Sequence, residues 1–254
     1  MRRVLVIGIG AGDPEHVTAQ AVRALNEVDV FFVIDKGDET EDLIALRREI
    51  CERFIEDPSY RIVEVPDPPR DRTAAAYVAA VEDWRARRAE IWGAALRDEL
   101  ADDGVGAFLV WGDPSLYDST LDVIERILAG GLVGFEYEVI AGISSVHALT
   151  ARHRIALNRV GGAVQVTTGR RLADHGWPDG VDDVVVMLDA HCSFRHIDPE
   201  GVEIFWGAYL GTADEVLVAG PLESAGPKVE RARRAARDRK GWIMDTYLLR
   251  RRAS

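Results

Sequence analysis

The chain has 254 residues, 47% of them hydrophobic, two cysteines and a formal net charge of −12. That size and apolar content support one large or two modest globular domains and exclude a disordered or fibrous class. The acidic balance argues against nucleic acid or an anionic membrane as the main partner, since both need a broad basic surface, and Cys51 and Cys192 are too few for a disulfide framework. The apolar runs fall short of the roughly 20 residues that span a bilayer. Arg2 and Arg3 lead directly into a strand and a glycine loop rather than a signal-peptide pattern. A reduced, cytoplasmic protein is the expectation.

The chain opens on "VLVIGIGAGDPEHVT", an apolar strand at 4–7 running into Gly8, Gly10 and Gly12. A dinucleotide fingerprint reads G-x-G-x-x-G and seats a pyrophosphate on a helix N-terminus. Here the spacing is G-x-G-x-G, and Asp13-Pro14 follows, with Asp13 placed as a helix N-cap and Pro14 as a first helical residue. A phosphate there would meet a carboxylate. Asp35 is the available acidic partner for a ribose, and it lies somewhat far along the chain.

Further strands are expected at 28–34, 60–65, 107–111 and 137–141, alternating with helical patterns as in a parallel α/β fold. Between the third and fourth, Tyr77, Val81, Trp84, Ile91, Ala95 and Leu100 recur at intervals near three or four and predict a long amphipathic helix. After Gly142 the pattern changes. Strands are expected at 164–168, 184–188, 204–210, 215–218 and 242–249, with fewer long helices between them. That pattern suggests a mixed sheet in a second domain, so the domains are placed at 1–142 and 143–254. "VEIFWGAYLGTADEVLVAG" reads as a hairpin and "GPKVERARRAARDRKG" as a basic helix ended by Gly241.

The opening motif has an echo in "LVWGDPSLYDST", and a third strand ends in "YEVIAGISSVHAL". In a parallel sheet all three loops leave the C-terminal edge, where open α/β sheets bind ligands. Gly and Asp also make ordinary turns and caps, which is the plain alternative for each. G-I-S-S lacks the second glycine of the G-x-S-x-G elbow, which disfavours a hydrolase. No Walker A loop is present. His191, Cys192 and His196 in "HCSFRH" lack a matching second cluster, so no metal is expected.

Together the G-x-G-x-G-D-P opening, the middle G-D-P-x-x-Y, the G-I-S-S after a strand and the later "VVVML" resemble the tetrapyrrole methylases, in the right order over nearly the whole chain. These are S-adenosylmethionine-dependent enzymes of the cobalamin and sirohaem pathways. The "VIGIGAGDPEHVT" start, the long insertion before the middle motif and the "GWIMDTYLLRR" ending resemble the members that methylate C1 of precorrin-5 with release of acetate. Ala11 and Ala141 depart from the family, which often has proline at both places.

The resemblance implies two α/β domains with the cofactor folded in a cleft between them. It carries cofactor contacts onto Gly112, Asp113 and Leu116, onto Ser144 and Ser145, and onto Met187, with Gly211, Ala219, Gly220 and Pro221 as further members. It places the first loop, with Gly10, Gly12 and Asp13, on the tetrapyrrole side. Asp113 has a helix cap as its structural alternative. A homodimer is also implied.

Methyl transfer to an electron-rich carbon needs alignment more than acid or base help. Acetate loss requires water to attack a carbonyl, for which Asp118, Tyr117, His147 and His16 are candidate groups. Arg152, Arg154, Arg159, Arg170 and Arg171 cluster in sequence and suit the carboxylates of the substrate. Another precorrin methyltransferase, a nicotinamide-dependent oxidoreductase resting on the glycine loop, and a non-catalytic binding module are the rival readings.

Overall fold

The computed structural model describes residues 1–35, 41–69 and 77–252; the side chains at 35, 41–43 and 77–80, those of Asp35 and Tyr77 among them, lie outside the described residues. The chain divides into two compact units, one of Met1–Gly10 with Pro14–Ile143 and one of Ala11–Asp13 with Ser144–Ser254.

The first unit carries strands β1 (Arg3–Gly8), β2 (Val30–Asp35), β3 (Arg61–Pro66), β4 (Val105–Val110) and β5 (Glu136–Ile140). They form one sheet in the order β3-β2-β4-β1-β5, every pair parallel. Helices α1 (Ala19–Leu25), α2 (Glu41–Phe54), α3 (Tyr77–Glu99) and α4 (Thr120–Gly130) connect them. The near-continuous apolar runs follow from burial on both faces. Val4, Val6 and Phe108 face one core with Trp92, and Leu5, Ile7 and Phe31 face another with Leu25 and Ile50.

Two expectations are corrected here. No α-helix starts at Asp13. Pro14–His16 forms a single 3-10 turn, and α1 starts later, with Thr18 Oγ1 accepting from Ala21 N at 3.0 Å. A hydroxyl one residue before the helix outcompetes a carboxylate placed too early in the chain. In α3 the buried stripe runs through Arg88, Ala89, Trp92 and Leu96 and on to Leu100 just past its end, while Ile91 and Ala95 are only partly buried. The hydrophobic count missed the start of this stripe because its first member is an arginine. Arg88 lies between the rings of Trp84 and Trp92, at 4.6 and 4.7 Å, and pairs with Asp67 at 2.7 Å.

The second unit carries helix α5 (Ser145–His153), strand β6 (Val164–Thr168), helix α6 (Gly169–His175) and strands β7 (Asp183–Met187), β8 (Val202–Ala208) and β9 (Val216–Pro221). Helix α7 (Leu222–Lys240) and strand β10 (Asp245–Arg251) complete it. The sheet order is β6-β7-β10-β8-β9, with β6 and β7 parallel and the remaining pairs antiparallel, a mixed sheet. β8 and β9 form the expected hairpin. α7 begins four residues earlier than its basic run and ends at Gly241, whose φ of 78° suits glycine.

Candidate active site

β4, β1 and β5 are neighbours in the first sheet, so the loops leaving their C-terminal ends meet. Gly10 and Gly112 exchange backbone hydrogen bonds, Gly10 N to Gly112 O at 3.3 Å and Gly112 N to Gly10 O at 2.8 Å. A Cβ on Gly142 would press into the carbonyl oxygen of Gly112, and one on Gly8 would lie 2.6 Å from Gly142 N. Only glycine allows this approach.

Asp113 closes the arrangement. Its Oδ2 accepts from Gly142 N at 2.9 Å, and its Oδ1 accepts from Ser115 N at 2.8 Å and from the Ser115 hydroxyl. The carboxylate ties the middle loop to the third loop as well as shaping its own turn. Leu116 N donates to Asp113 O at 3.2 Å. Tyr117 adopts the left-handed backbone region (φ 52°) with its side chain 46% exposed. Asp118 Oδ1 accepts from Thr120 N at 2.7 Å and so caps α4, while Ser119 Oγ accepts from Arg88 at 2.7 Å. Beside these loops, the buried His16 Nδ1 and Trp111 Nε1 have no hydrogen-bond partner.

In the second unit, a Cβ on Gly12 would strike Leu210 O, and one on Gly211 (φ 79°) would lie 2.7 Å from Asp13 N. Glu215 braces this contact, accepting from Gly211 N at 2.9 Å and pairing with Arg152 at 2.5 Å. Ser144 caps α5. Its buried Oγ accepts from His147 N at 3.4 Å and lies 2.9 Å from His147 Nδ1, while His147 itself is exposed. Ser145 is the first residue of α5.

The candidate arginines separate into two groups. Arg159 and Arg250 converge on the fully buried Asp183, at 3.9 and 2.5 Å, and Arg152 serves Glu215. These three side chains hold the fold. Arg154, Arg170 and Arg171 are exposed.

Met187 ends β7, and Leu188 follows in the left-handed region (φ 53°) with its side chain 67% exposed. An apolar, branched residue held in that conformation and facing solvent marks an over-determined loop. The cause is Asp189, which sequence reasoning missed. Its carboxylate accepts from Tyr247 Oη at 2.6 Å, from Ser193 N at 2.6 Å and from His191 N at 2.9 Å. Arg233 donates to Asp189 O at 2.8 Å and pairs with Asp245 at the same distance. The available signal was an aspartate two residues past a strand with donors at positions two and four beyond it.

Ala219, Gly220 and Pro221 end strand β9. Met187 pairs with Thr246, which pairs with Gly207 opposite Leu217, whereas Pro221 lies opposite Glu203. β10 and β8 intervene between β7 and β9. At about 4.8 Å per strand and about 3.4 Å per residue, Ala219 to Pro221 stand roughly 16 to 20 Å from Met187, toward the other edge of the sheet. Gly211 follows β8 at the edge of Met187.

No helix N-terminus directly follows the Gly8–Gly12 loop, because the 3-10 turn intervenes, so the nicotinamide reading loses its one support. Among the described residues, no group of three or more His, Cys, Asp or Glu side chains is placed to hold a metal ion, and no helix is long and apolar enough to cross a membrane.

Comparison with known proteins agrees with this geometry. Residues 3–226 match the family model of the tetrapyrrole (corrin/porphyrin) methylases. Precorrin-6A synthase [deacetylating] of Sinorhizobium sp is 48% identical over 253 residues, covering 100% of this chain and 97% of that one. A cobalamin synthesis related protein (CobF) of Corynebacterium diphtheriae has a crystal structure that superposes with a TM-score of 0.85 at 38% identity, covering 100% of both chains. Uroporphyrin-III C-methyl transferase of Thermus thermophilus, crystallised with S-adenyl homocysteine, shares the fold at a TM-score of 0.56 and 20% identity, over 97% of this chain and 96% of that one. The adjoining glycine loops, the aspartate that ties them and the match from end to end have one reading: this chain belongs to the tetrapyrrole methylase family.

Proposed function

We propose that the protein is an S-adenosylmethionine-dependent C-methyltransferase of cobalamin biosynthesis that methylates C1 of precorrin-5 and releases acetate, as a precorrin-6A synthase. The observation that carries this reading is the 48% identity to such an enzyme over the whole chain. The residues also fit the cofactor. Glycine loops that admit no Cβ and two buried nitrogens lacking partners offer close backbone approach and polar contacts without a phosphate cradle.

When bound, S-adenosylmethionine supplies an electrophilic methyl group on a sulfonium. The chain's own part is to align and to exclude water, since in-line displacement draws most of its help from positioning. Gly112, Asp113 and Leu116 in the first unit, and Ser144, Ser145, Met187 and Gly211 in the second, are the proposed cofactor contacts, with Ala219, Gly220 and Pro221 as further members. Gly10, Gly12 and Asp13, with the exposed Arg170, are proposed to meet substrate. For acetate release, His147 has its Nδ1 against Ser144; when Nδ1–H donates to that hydroxyl, Nε2 is the base that takes a proton from water. Asp118 and Tyr117 are the other proposed catalytic groups; Asp118 also caps α4.

We infer domains at 1–142 and 143–254, a reading that the change of unit after Ile143 supports. We further infer a cytoplasmic homodimer; edge strand β5, with Tyr137 and Val139 about 40% exposed, supports self-association. The decisive experiment is mass spectrometry of precorrin-5 incubated with protein and S-adenosylmethionine. The expected product has gained a methyl group and lost its acetyl group, and a His147→Ala variant should accumulate methylated product that keeps the acetyl group. Unchanged precorrin-5 would refute the reading, and parallel loss of both steps would remove His147 as a dedicated base.

A further inference from the structure

Arg88 is 3% exposed on the buried stripe of α3, its guanidinium set between the rings of Trp84 and Trp92. Two loops at the C-terminal edge of the first sheet meet on it. Its Nε pairs at 2.7 Å with Asp67, which directly follows β3, and its Nη1 donates at 2.7 Å to Ser119 Oγ, in the loop that follows β4. β3 and β4 flank β2, so one side chain joins the loops on either side of that strand. The link reaches further through the start of α4. Ser119 is the N-cap residue of α4, yet its hydroxyl accepts from Arg88 and makes no capping bond. The cap falls instead to Asp118, whose Oδ1 accepts from Thr120 N at 2.7 Å. Tyr117, just before, is held in the left-handed region (φ 52°), which a bulky residue keeps only where its surroundings over-determine it. The side chains of Tyr117 and Asp118 are both exposed, so core packing does little to fix them. The polar ties at the end of the segment do.

We propose that Arg88 is a positioning residue for the reaction: from the core it holds the 117–119 turn, so that Tyr117 and Asp118 are presented in one fixed arrangement for acetate release. The assignment rests on the methyltransferase reading above and on the roles given there to Tyr117 and Asp118. A guanidinium suits the task, because its planar fork holds two acceptors at a fixed angle, whereas the ammonium of a lysine is a single point on a flexible stem.

Ser119→Ala cuts the link to the turn and leaves Arg88 paired with Asp67, which avoids a buried unpaired charge. In a single turnover of precorrin-5, this variant should release acetate about tenfold more slowly, because misplaced groups lose rate steeply. Its methylation rate and its Kd for S-adenosylhomocysteine should stay unchanged. Ser119→Thr, which keeps the hydroxyl, should release acetate at the wild-type rate. Arg88→Lys should slow release as Ser119→Ala does, and the two changes together should be no slower than either alone, since both cut the same link. Amide exchange followed by NMR gives a readout free of turnover: in Ser119→Ala the Thr120 amide should exchange about tenfold faster while the amides of β4 keep their rates. An unchanged Thr120 amide, or faster exchange throughout β4 with acetate release intact, overturns the positioning role. Methylation slowed as much as acetate release overturns the dedicated part in acetate release. A Ser119→Ala protein that methylates and releases acetate at wild-type rates overturns this assignment alone, whereas a wild-type protein that methylates no tetrapyrrole overturns the methyltransferase reading and the assignment together.

Discussion

Asp189 shows how one side chain sets the course of the loop after β7. Burial pushes its carboxyl up, but hydrogen bonds from Tyr247, His191 and Ser193 outweigh that and hold it below the usual carboxylate range. Its ionised form therefore stabilises the fold above about pH 4, and that contribution is lost as pH falls through the depressed native value. Tyr247→Phe removes one buried donor and should cost about 1–3 kcal/mol at pH 7. Urea denaturation at pH 7 and pH 3.5 checks this: the gap between wild type and variant should narrow at the lower pH. A gap of constant size would mean that Tyr247 acts by packing alone. Because Asp189 follows Met187 and Leu188, the same variant should also weaken S-adenosylhomocysteine binding.

At the scale of elements, the first unit depends on strand ends that approach more closely than side chains permit. Gly142→Ala would place a methyl group against the Gly112 carbonyl, where only backbone can yield. It should cost about 3 kcal/mol or more and impair cofactor binding, because Asp113 would lose its hold on Gly142 N. Gly130→Ala, at the end of α4 with no atom within 4 Å of the new Cβ, should be neutral or stabilise by up to about 1 kcal/mol. Thermal melts of both variants decide the matter, and equal melting temperatures would show that the loops can part without loss. Arg88 acts at the same scale. Its links to Asp67 and Ser119 fasten α3 to the start of α4, next to the middle motif.

For the whole molecule, a net charge of −12 meets a substrate rich in carboxylates. The long-range field opposes an anionic substrate, while the arginine contact proposed above would act only at close range. Raising salt from 10 to 150 mM shortens the Debye length from about 30 Å to about 8 Å, which removes the repulsion before it weakens a pair at contact distance. The kcat/KM for tetrapyrrole should therefore rise over that interval, as initial-rate measurements can establish. A steep fall would mean that an extended basic surface steers the substrate instead.

The sequence by itself determined the strands and their motifs. Apolar runs bounded by Gly-Asp-Pro and G-I-S-S are local signals, and burial on both faces of a parallel strand leaves little else that such a run can do. It placed the ten strands of the described residues within a few positions and identified the loops that carry the candidate site. What only the tertiary structure decided was which polar groups are already engaged. Arg152, Arg159 and Asp113 look available in sequence, yet Glu215, Asp183 and the Gly142 amide claim them. Arg88 looks like surface and lies in the core. Hydrogen bonds and ion pairs join residues distant in the chain, and their partners are set by strand order and register, which no local pattern encodes.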